Sequence, residues 1–224
     1  MQTNVTPAEE WAPLVRPGDP YTLHARGLLL LRSGHPEVRK LNLKQAEGSS
    51  SLYGDRIWDS SILLMSELSR GWHLKTDSHM MDIGCGAGPL AVFAARRFDC
   101  RITAVDADPG VFPYVQLHAG VNQVTVETLE RRFEDLRDEL SDVDLMAGAD
   151  ICLWEEQVPV LYSLICRALI RGVQYIHIAD PGRAPFQHLA QLCLDHFGAR
   201  AWVKERRTRV PYLMRAQVLT IKGS

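Results

Sequence analysis

Apolar positions along this chain follow two alternating rhythms. Short runs with almost no polar residue read as buried strands: Met80–Ile83, Ile102–Asp106, a stretch near Val124–Leu129, one within Val143–Ala149, and Tyr175–Ala179. Between them lie longer stretches whose apolar residues recur at helical spacing. Leu64, Met65 and Leu68 share a face behind a cap at Asp59, Ser60 or Ser61. Leu90, Phe93, Ala94 and Phe98 do the same behind Pro89. Asp108-Pro109 opens a helix running to about Gly120, with Pro113 as a competing start. Glu155–Arg171 aligns Val158, Leu161, Ile165 and Leu169 and closes at Gly172, and Phe186–Phe197 closes at Gly198. The tail, Ala201–Val203 and Ala216–Ile221, reads as two further strands around an Arg/Pro turn. Strands alternating with helices predict an α/β fold, a parallel sheet covered on both faces. Ligands of such sheets bind at the carboxyl ends of the strands, and Gly84–Gly88, Asp106 and Asp150 all fall at strand ends.

The first 50 residues break this rhythm. Pro7, Pro13, Pro17 and Pro20 interrupt them, Tyr21–Arg32 forms a helix or a strand around Leu28–Leu31, and Ser49-Ser50-Ser51 resembles a linker. Residues 1–50 are therefore expected to be an N-terminal extension, a lid or a partner surface, ahead of one domain over 51–224.

Bulk properties narrow the function classes. The chain has 224 residues, 46% hydrophobic, with a net charge of −2. This balance argues against nucleic acid as the main partner. The basic cluster Lys204, Arg206, Arg207 and Arg209, interrupted by Glu205, reads as a solvated face. The five cysteines are odd in number and have no C-x-x-C spacing, which fits free thiols in a reducing, cytoplasmic setting. No apolar run approaches the ~18 residues of a membrane span, and the N-terminus lacks a signal-peptide pattern. The histidines show no metal-ligand spacing, so no metal is expected. No Gly-x-Ser-x-Gly elbow is present to anchor a hydrolase. Oligomeric state has no signature.

The chemistry concentrates in Met80-Met81-Asp82-Ile83-Gly84-Cys85-Gly86-Ala87-Gly88-Pro89-Leu90, a strand, a glycine turn and a helix start. The next strand ends in Asp106, which can accept hydrogen bonds from both ribose hydroxyls of a nucleoside. A dinucleotide fingerprint would put glycine or alanine where Pro89 stands. Asp82, just before the turn, would repel a pyrophosphate but suits the ammonium of a methionine. The pattern Asp-x-Gly-x-Gly-x-Gly with an acidic end to the next strand resembles the class I methyltransferases and points to S-adenosylmethionine. The expected cofactor residues are Asp82, Gly84, Cys85, Gly86, Gly88, Pro89, Asp106 and Ala107, with Trp58, Phe133 and Ala149 nearby.

Three more segments narrow the resemblance: Gly54-Asp55-Arg56-Ile57-Trp58-Asp59-Ser60-Ser61, Gly148-Ala149-Asp150-Ile151-Cys152-Leu153, and Ala179-Asp180-Pro181-Gly182-Arg183. Together with the glycine turn they are similar to the seven-β-strand protein lysine methyltransferases, from about Gly54 to Phe197. That resemblance implies a doubly wound, Rossmann-like sheet of order 3-2-1-4-5-7-6 with the last strand antiparallel. It also implies Trp58 beside the cofactor and Asp150 facing the transferred methyl. Two departures stand out. The group's Asp-x-x-Tyr is here Asp150-Ile151-Cys152-Leu153, with the aromatic one place later at Trp154. The group's Trp-Gly near the adenine is replaced by Arg131-Arg132-Phe133, which leaves Phe133 or an arginine to take that place.

The expected activity is methyl transfer to a nitrogen, foremost a lysine side chain of a protein substrate, with Asp150 and Trp154 as catalytic residues. A lysine amine must be neutral to attack, against a pKa of ~10.4, and its product is cationic, so a carboxylate at the site orients and stabilises it. The competing reading of Asp150 is a cap for the following helix. Trp58 is a cofactor wall or a core aromatic. Asp180–Arg183 is a tight turn, a carboxylate-binding arginine or an anchor of the site loop. A small-molecule N-methyltransferase and a non-catalytic cofactor-binding scaffold stand as alternatives. Pro89 and Asp82 argue against a nicotinamide-dependent reductase.

Overall fold

The computed structural model describes residues 18–45, 54–71, 74–209 and 211–224. A hairpin of β1 (Thr22–Ala25) and β2 (Leu28–Leu31) comes first, then α1 (Pro36–Gln45) and α2 (Asp59–Gly71). The alternating part follows: β3 (His79–Ile83), α3 (Pro89–Arg97), β4 (Arg101–Asp106), α4 (Phe112–Val121), β5 (Glu127–Glu130), β6 (Leu145–Ala149), α5 (Gln157–Ile170), β7 (Tyr175–Asp180) and α6 (Ala184–Phe197). The chain ends in β8 (Ala201–Thr208) and β9 (Met214–Lys222).

Seven strands join in the order β5-β4-β3-β6-β7-β9-β8. Numbered among themselves, these are 3-2-1-4-5-7-6, the expected order. β3, β4, β5, β6 and β7 pair in parallel, while β9 runs antiparallel to both β7 and β8. Side chains alternate across the sheet, and the core divides accordingly. Met80 and Ala104 pack with Ile62 and Leu64 of α2 and with the apolar face of α3. Met81, Ile83 and Val105 pack with Leu161 and Ile165 of α5 and with Leu189 of α6. Among the described residues no helix is long and apolar enough to cross a membrane.

Three elements depart from the sequence reading. The third sheet strand covers Glu127–Glu130 and not Val124–Leu129. Val124 donates its N–H to Ala119 O at the exit of α4, and Val126 is buried, so those apolar residues close a helix before the ladder starts. Both proline signals near residue 110 are used in turn. Asp108 caps a short 3₁₀ turn through Gly110 N–H, and α4 then starts at Phe112-Pro113. The tail strands are longer than expected because β8 runs on from Ala201–Val203 into the charged block Lys204–Arg207 along a sheet edge, where charge discourages edge-to-edge pairing. The basic cluster is also partly paired: Arg206 donates to both Glu67 oxygens at 2.5 and 2.6 Å, and Arg207 pairs with Glu205.

The described part of the N-terminal extension is built into the core. Leu23, Ala25, Leu28 and Leu30 are buried with the α2 and α3 side chains. Among the described residues the outer edge of β2 has no strand neighbour, and α4 takes that place. Asn122 accepts from Leu29 N–H at 2.9 Å and donates to Leu29 O at 2.7 Å. His118, one turn earlier, accepts from Leu31 N–H through Nε2 at 3.0 Å and donates through Nδ1 to Ala87 O at 2.8 Å. Burial holds its pKa low, in keeping with the neutral ring that this pattern needs. The proline-rich start and the serine linker lie outside the described residues.

Asn122→Ala would strand the partly buried N–H and carbonyl of Leu29. Unsatisfied buried groups of this kind cost ~1–3 kcal/mol each. Urea denaturation should therefore show a loss of about 2–4 kcal/mol. A loss below about 0.5 kcal/mol would mean that the hairpin is not an integral part of the fold.

Candidate active site

The loop after β3 is tied down before it turns. Cys85 donates its N–H to Val105 O at 3.0 Å, so the glycine run is pinned to the end of β4. Gly84 has φ +63°, and a Cβ there would stand 2.6 Å from Ile151 Cγ2 and 3.4 Å from Phe133 Cζ. Both of those side chains line a cavity of about 620 Å³ at the carboxyl edge of the sheet. That volume is typical of small-molecule sites. Gly88 has a different duty. With φ +76° it precedes the first turn of α3, and a Cβ on it would meet Val115 of α4 at 2.9 Å. It does not line the cavity, whereas Gly84, Cys85, Gly86 and Pro89 do. Gly88→Ala is therefore expected to cost stability, by about 1–3 kcal/mol from strain and overpacking, with cofactor affinity of the folded fraction unchanged. Thermal melts and calorimetry on one preparation check both halves, and an affinity loss with an unchanged melt would contradict them.

Two carboxylates flank the loop. Asp106 Oδ2 accepts from Gly86 N–H and Oδ1 from Asp108 N–H, each at 3.0 Å. A carboxylate oxygen accepts more than one hydrogen bond, so both keep capacity for hydroxyl donors in the cavity. Burial raises its pKa, and the amide hydrogen bonds oppose that rise. Asp82 is almost fully buried and accepts from Ala91 N–H at 3.0 Å, in the first turn of α3. Burial pushes its pKa from 3.8 to about 8; the Ala91 hydrogen bond opposes this and the Asp106 charge adds to it.

The sign of the consequence is definite. Asp82 has a higher pKa folded than unfolded, so its contribution to the free protein's stability is full in acid and is lost as pH rises through about 8. The melting temperature of Asp82→Asn should fall less steeply than wild type between about pH 4 and 8. Parallel curves would contradict this.

Asp150 follows β6 with φ +57°, a left-handed conformation that Asp tolerates better than most residues. Its N–H donates to Ala179 O at 2.8 Å. Its side chain is buried and accepts from Arg183 at 2.6 Å through Oδ1, while Oδ2 receives no well-formed hydrogen bond. Burial raises its pKa; Ser60 and Arg183 pull it down, and Asp180 pushes it up. The helix-cap reading of Asp150 does not hold. α5 starts at Gln157, and it is Gln157 Oε1 that accepts from the Leu153 and Trp154 N–H groups, at 2.6 and 3.1 Å. Glu155, expected near the first turn, pairs instead with His188.

The remaining expected residues converge on the same cavity. Trp58, Asp82, Asp106, Ala107, Ala149 and Asp150 line its walls, and Trp154 stands at its mouth, 52% exposed. Phe133 lines it too, its carbonyl and that of Leu136 held by the Arg167 guanidinium. The Trp58 ring carries the Arg56 guanidinium at 4.2 Å and that of Arg183 at 5.6 Å. Arg183 is an anchor, since it bridges Asp150 and Asp180. Sequence reasoning missed Val111 and Gln157, which bound the cavity and carry no motif, and did not single out Ile151 within its segment.

These residues fit S-adenosylmethionine. Asp106 retains acceptor capacity for ribose hydroxyls, Asp82 offers a carboxylate for an ammonium, and Gly84 keeps the wall thin. Residues 80–172 match the family model described as a methyltransferase domain. No curated protein matches the chain by sequence. Several solved structures share the fold. One is a precorrin-6Y C5,15-methyltransferase from Geobacter metallireducens, 16% identical, covering 80% of this chain and 95% of that one with a TM-score of 0.53. A precorrin-8W decarboxylase from Methanobacterium thermoautotrophicum is also 16% identical, covering 78% and 91%, with the same TM-score of 0.53. An rRNA methylase from Streptococcus thermophilus is 13% identical and covers 75% and 99%, with a TM-score of 0.56. Residues 80–172 thus match a methyltransferase domain, set in a Rossmann-like methyltransferase fold, and the methyl donor that this match implies is S-adenosylmethionine.

Proposed function

We propose that this protein transfers a methyl group from S-adenosylmethionine to a nitrogen, the side-chain amine of a lysine in a protein substrate. One observation carries the reading. Asp150 lines the cavity at the carboxyl edge, and one of its carboxylate oxygens, Oδ2, is buried with no well-formed hydrogen bond. Asp150 and Asp180 share a single guanidinium, so the group as a whole is short of positive charge. A nucleophile that becomes cationic during transfer supplies it.

The cofactor supplies an electrophilic methyl on a sulfonium. The protein's part is to bring the amine in line, accept its N–H and favour the charge that forms, which is positioning plus electrostatics. The mouth of the cavity supports a long aliphatic cation. Trp154 is exposed, and Glu134, Glu156 and Arg132 line the same cavity. An aromatic face next to carboxylates suits a lysine stem and its head.

The test is transfer of labelled methyl into fractionated lysate, with and without protease pretreatment. Label in protease-sensitive material is expected. Label confined to small molecules would shift the assignment to a small amine. Cofactor binding without transfer in any fraction would make the chain a scaffold.

A further inference from the structure

We infer that Arg183 is the positioning residue of Asp150: it holds one carboxylate oxygen and so fixes the orientation and charge of the carboxylate beside the cavity. This rests on the reading of Asp150 given above. Arg183 ends the loop after β7 and precedes the first turn of α6. That loop is set by Asp180, fully buried, whose Oδ1 accepts from Gly182 N–H and Arg183 N–H, both at 2.8 Å. The Arg183 side chain then turns back toward β6. Its Nη1 donates to Asp180 Oδ2 at 2.7 Å and to Asp150 Oδ1 at 2.6 Å. Both Asp180 oxygens and one Asp150 oxygen are thus committed. The remaining oxygen of the trio is Asp150 Oδ2.

The arrangement is specific in direction. Asp150 adopts a left-handed backbone, with its N–H on Ala179 O, so β6 and β7 fix its Cα and the guanidinium fixes its carboxylate. The groups facing this carboxylate are Arg183 and Asp180 from the β7–α6 loop and Ser60 from α2, with the Trp58 ring under the guanidinium. Asp82, Asp106, Glu156 and Arg132 line the same cavity. Burial and Asp180 both favour a protonated Asp150; Ser60 and Arg183 oppose them. Without Arg183, the opposing pull falls mainly to Ser60. Asp150 would then protonate at higher pH, and its charge would be lost as pH falls through that raised value. An Arg183 free to bind a substrate anion would first have to give up both charge-assisted bonds.

The experiment reads Asp150 directly and needs no substrate. Protein labelled with carbon-13 at the aspartate carboxyls is titrated by NMR, with Asp150→Asn assigning the resonance. Arg183→Gln, which keeps size and hydrogen bonding but not charge, should move the Asp150 titration upward by at least about one pH unit. Arg183→Lys should move it less, because an ammonium keeps the charge. A folded Arg183→Gln protein whose Asp150 titrates with wild type would overturn the inference. Should Arg183→Gln fail to fold, an unmoved titration in Arg183→Lys would do the same. Failure of the functional reading looks different: Asp150→Asn would then transfer methyl normally, whatever Arg183 does to the titration.

Discussion

Asp150→Asn is expected to slow single-turnover methyl transfer by about 10²–10⁴-fold at neutral pH, the range for loss of a positioned general base or charge. The substitution is clean on three counts. Asn adopts the left-handed backbone about as readily as Asp, so φ +57° is kept. Its amide oxygen can still accept from Arg183. Helix α5 takes no cap from residue 150, so no helix end is lost. What disappears is the charge that favours a cationic nitrogen, and cofactor affinity should stay near wild type. Transfer within about threefold of wild type would remove Asp150 from the chemistry.

Asp106→Ala should have the second-largest effect, on binding and not on the chemical step. Two charge-assisted hydrogen bonds to ribose, at roughly 1.5–3 kcal/mol each, set a loss of at least about tenfold in affinity. The geometry adds to this. Asp106 also accepts from Gly86 N–H and Asp108 N–H, so its removal frees the glycine loop and the turn after β4 together. Calorimetry should show a loss of about 10² or more. Asp106→Asn, which keeps acceptor capacity, should lie between Ala and wild type. Unchanged affinity in folded Asp106→Ala would contradict the cofactor geometry.

Much of this fold was legible in the sequence, for identifiable reasons. Fully buried parallel strands read as apolar runs, and Met80–Ile83 and Tyr175–Ala179 are such runs, broken only by Asp82 and His177. The N-terminal hairpin was not legible. Four consecutive leucines at 28–31 have no period, so they fit a helix or a strand equally, and the partners that settle the matter, His118 and Asn122, lie far along the chain. Val124–Val126 misled because a helix exit buries apolar residues as well as a strand does.

The site shows the same division. The glycine run and Asp106 announced a nucleoside site because their spacing is local. The split among the glycines, with Gly88 turned toward Val115 and Gly84 toward Ile151, depends on packing that no spacing encodes. Asp150 could be placed at a strand end, but whether it capped a helix or faced the cavity depended on Arg183, 33 residues later.

The methyl group is proposed to end on a lysine nitrogen. Protein methylated with S-adenosylmethionine carrying a labelled methyl, then acid-hydrolysed and resolved as free amino acids, tests it most directly. The label is predicted to co-migrate with methylated lysine, and to vanish when the reaction is run with Asp150→Asn. Label recovered instead in nucleosides, or lost from the protein in mild base as carboxyl esters are, would contradict it.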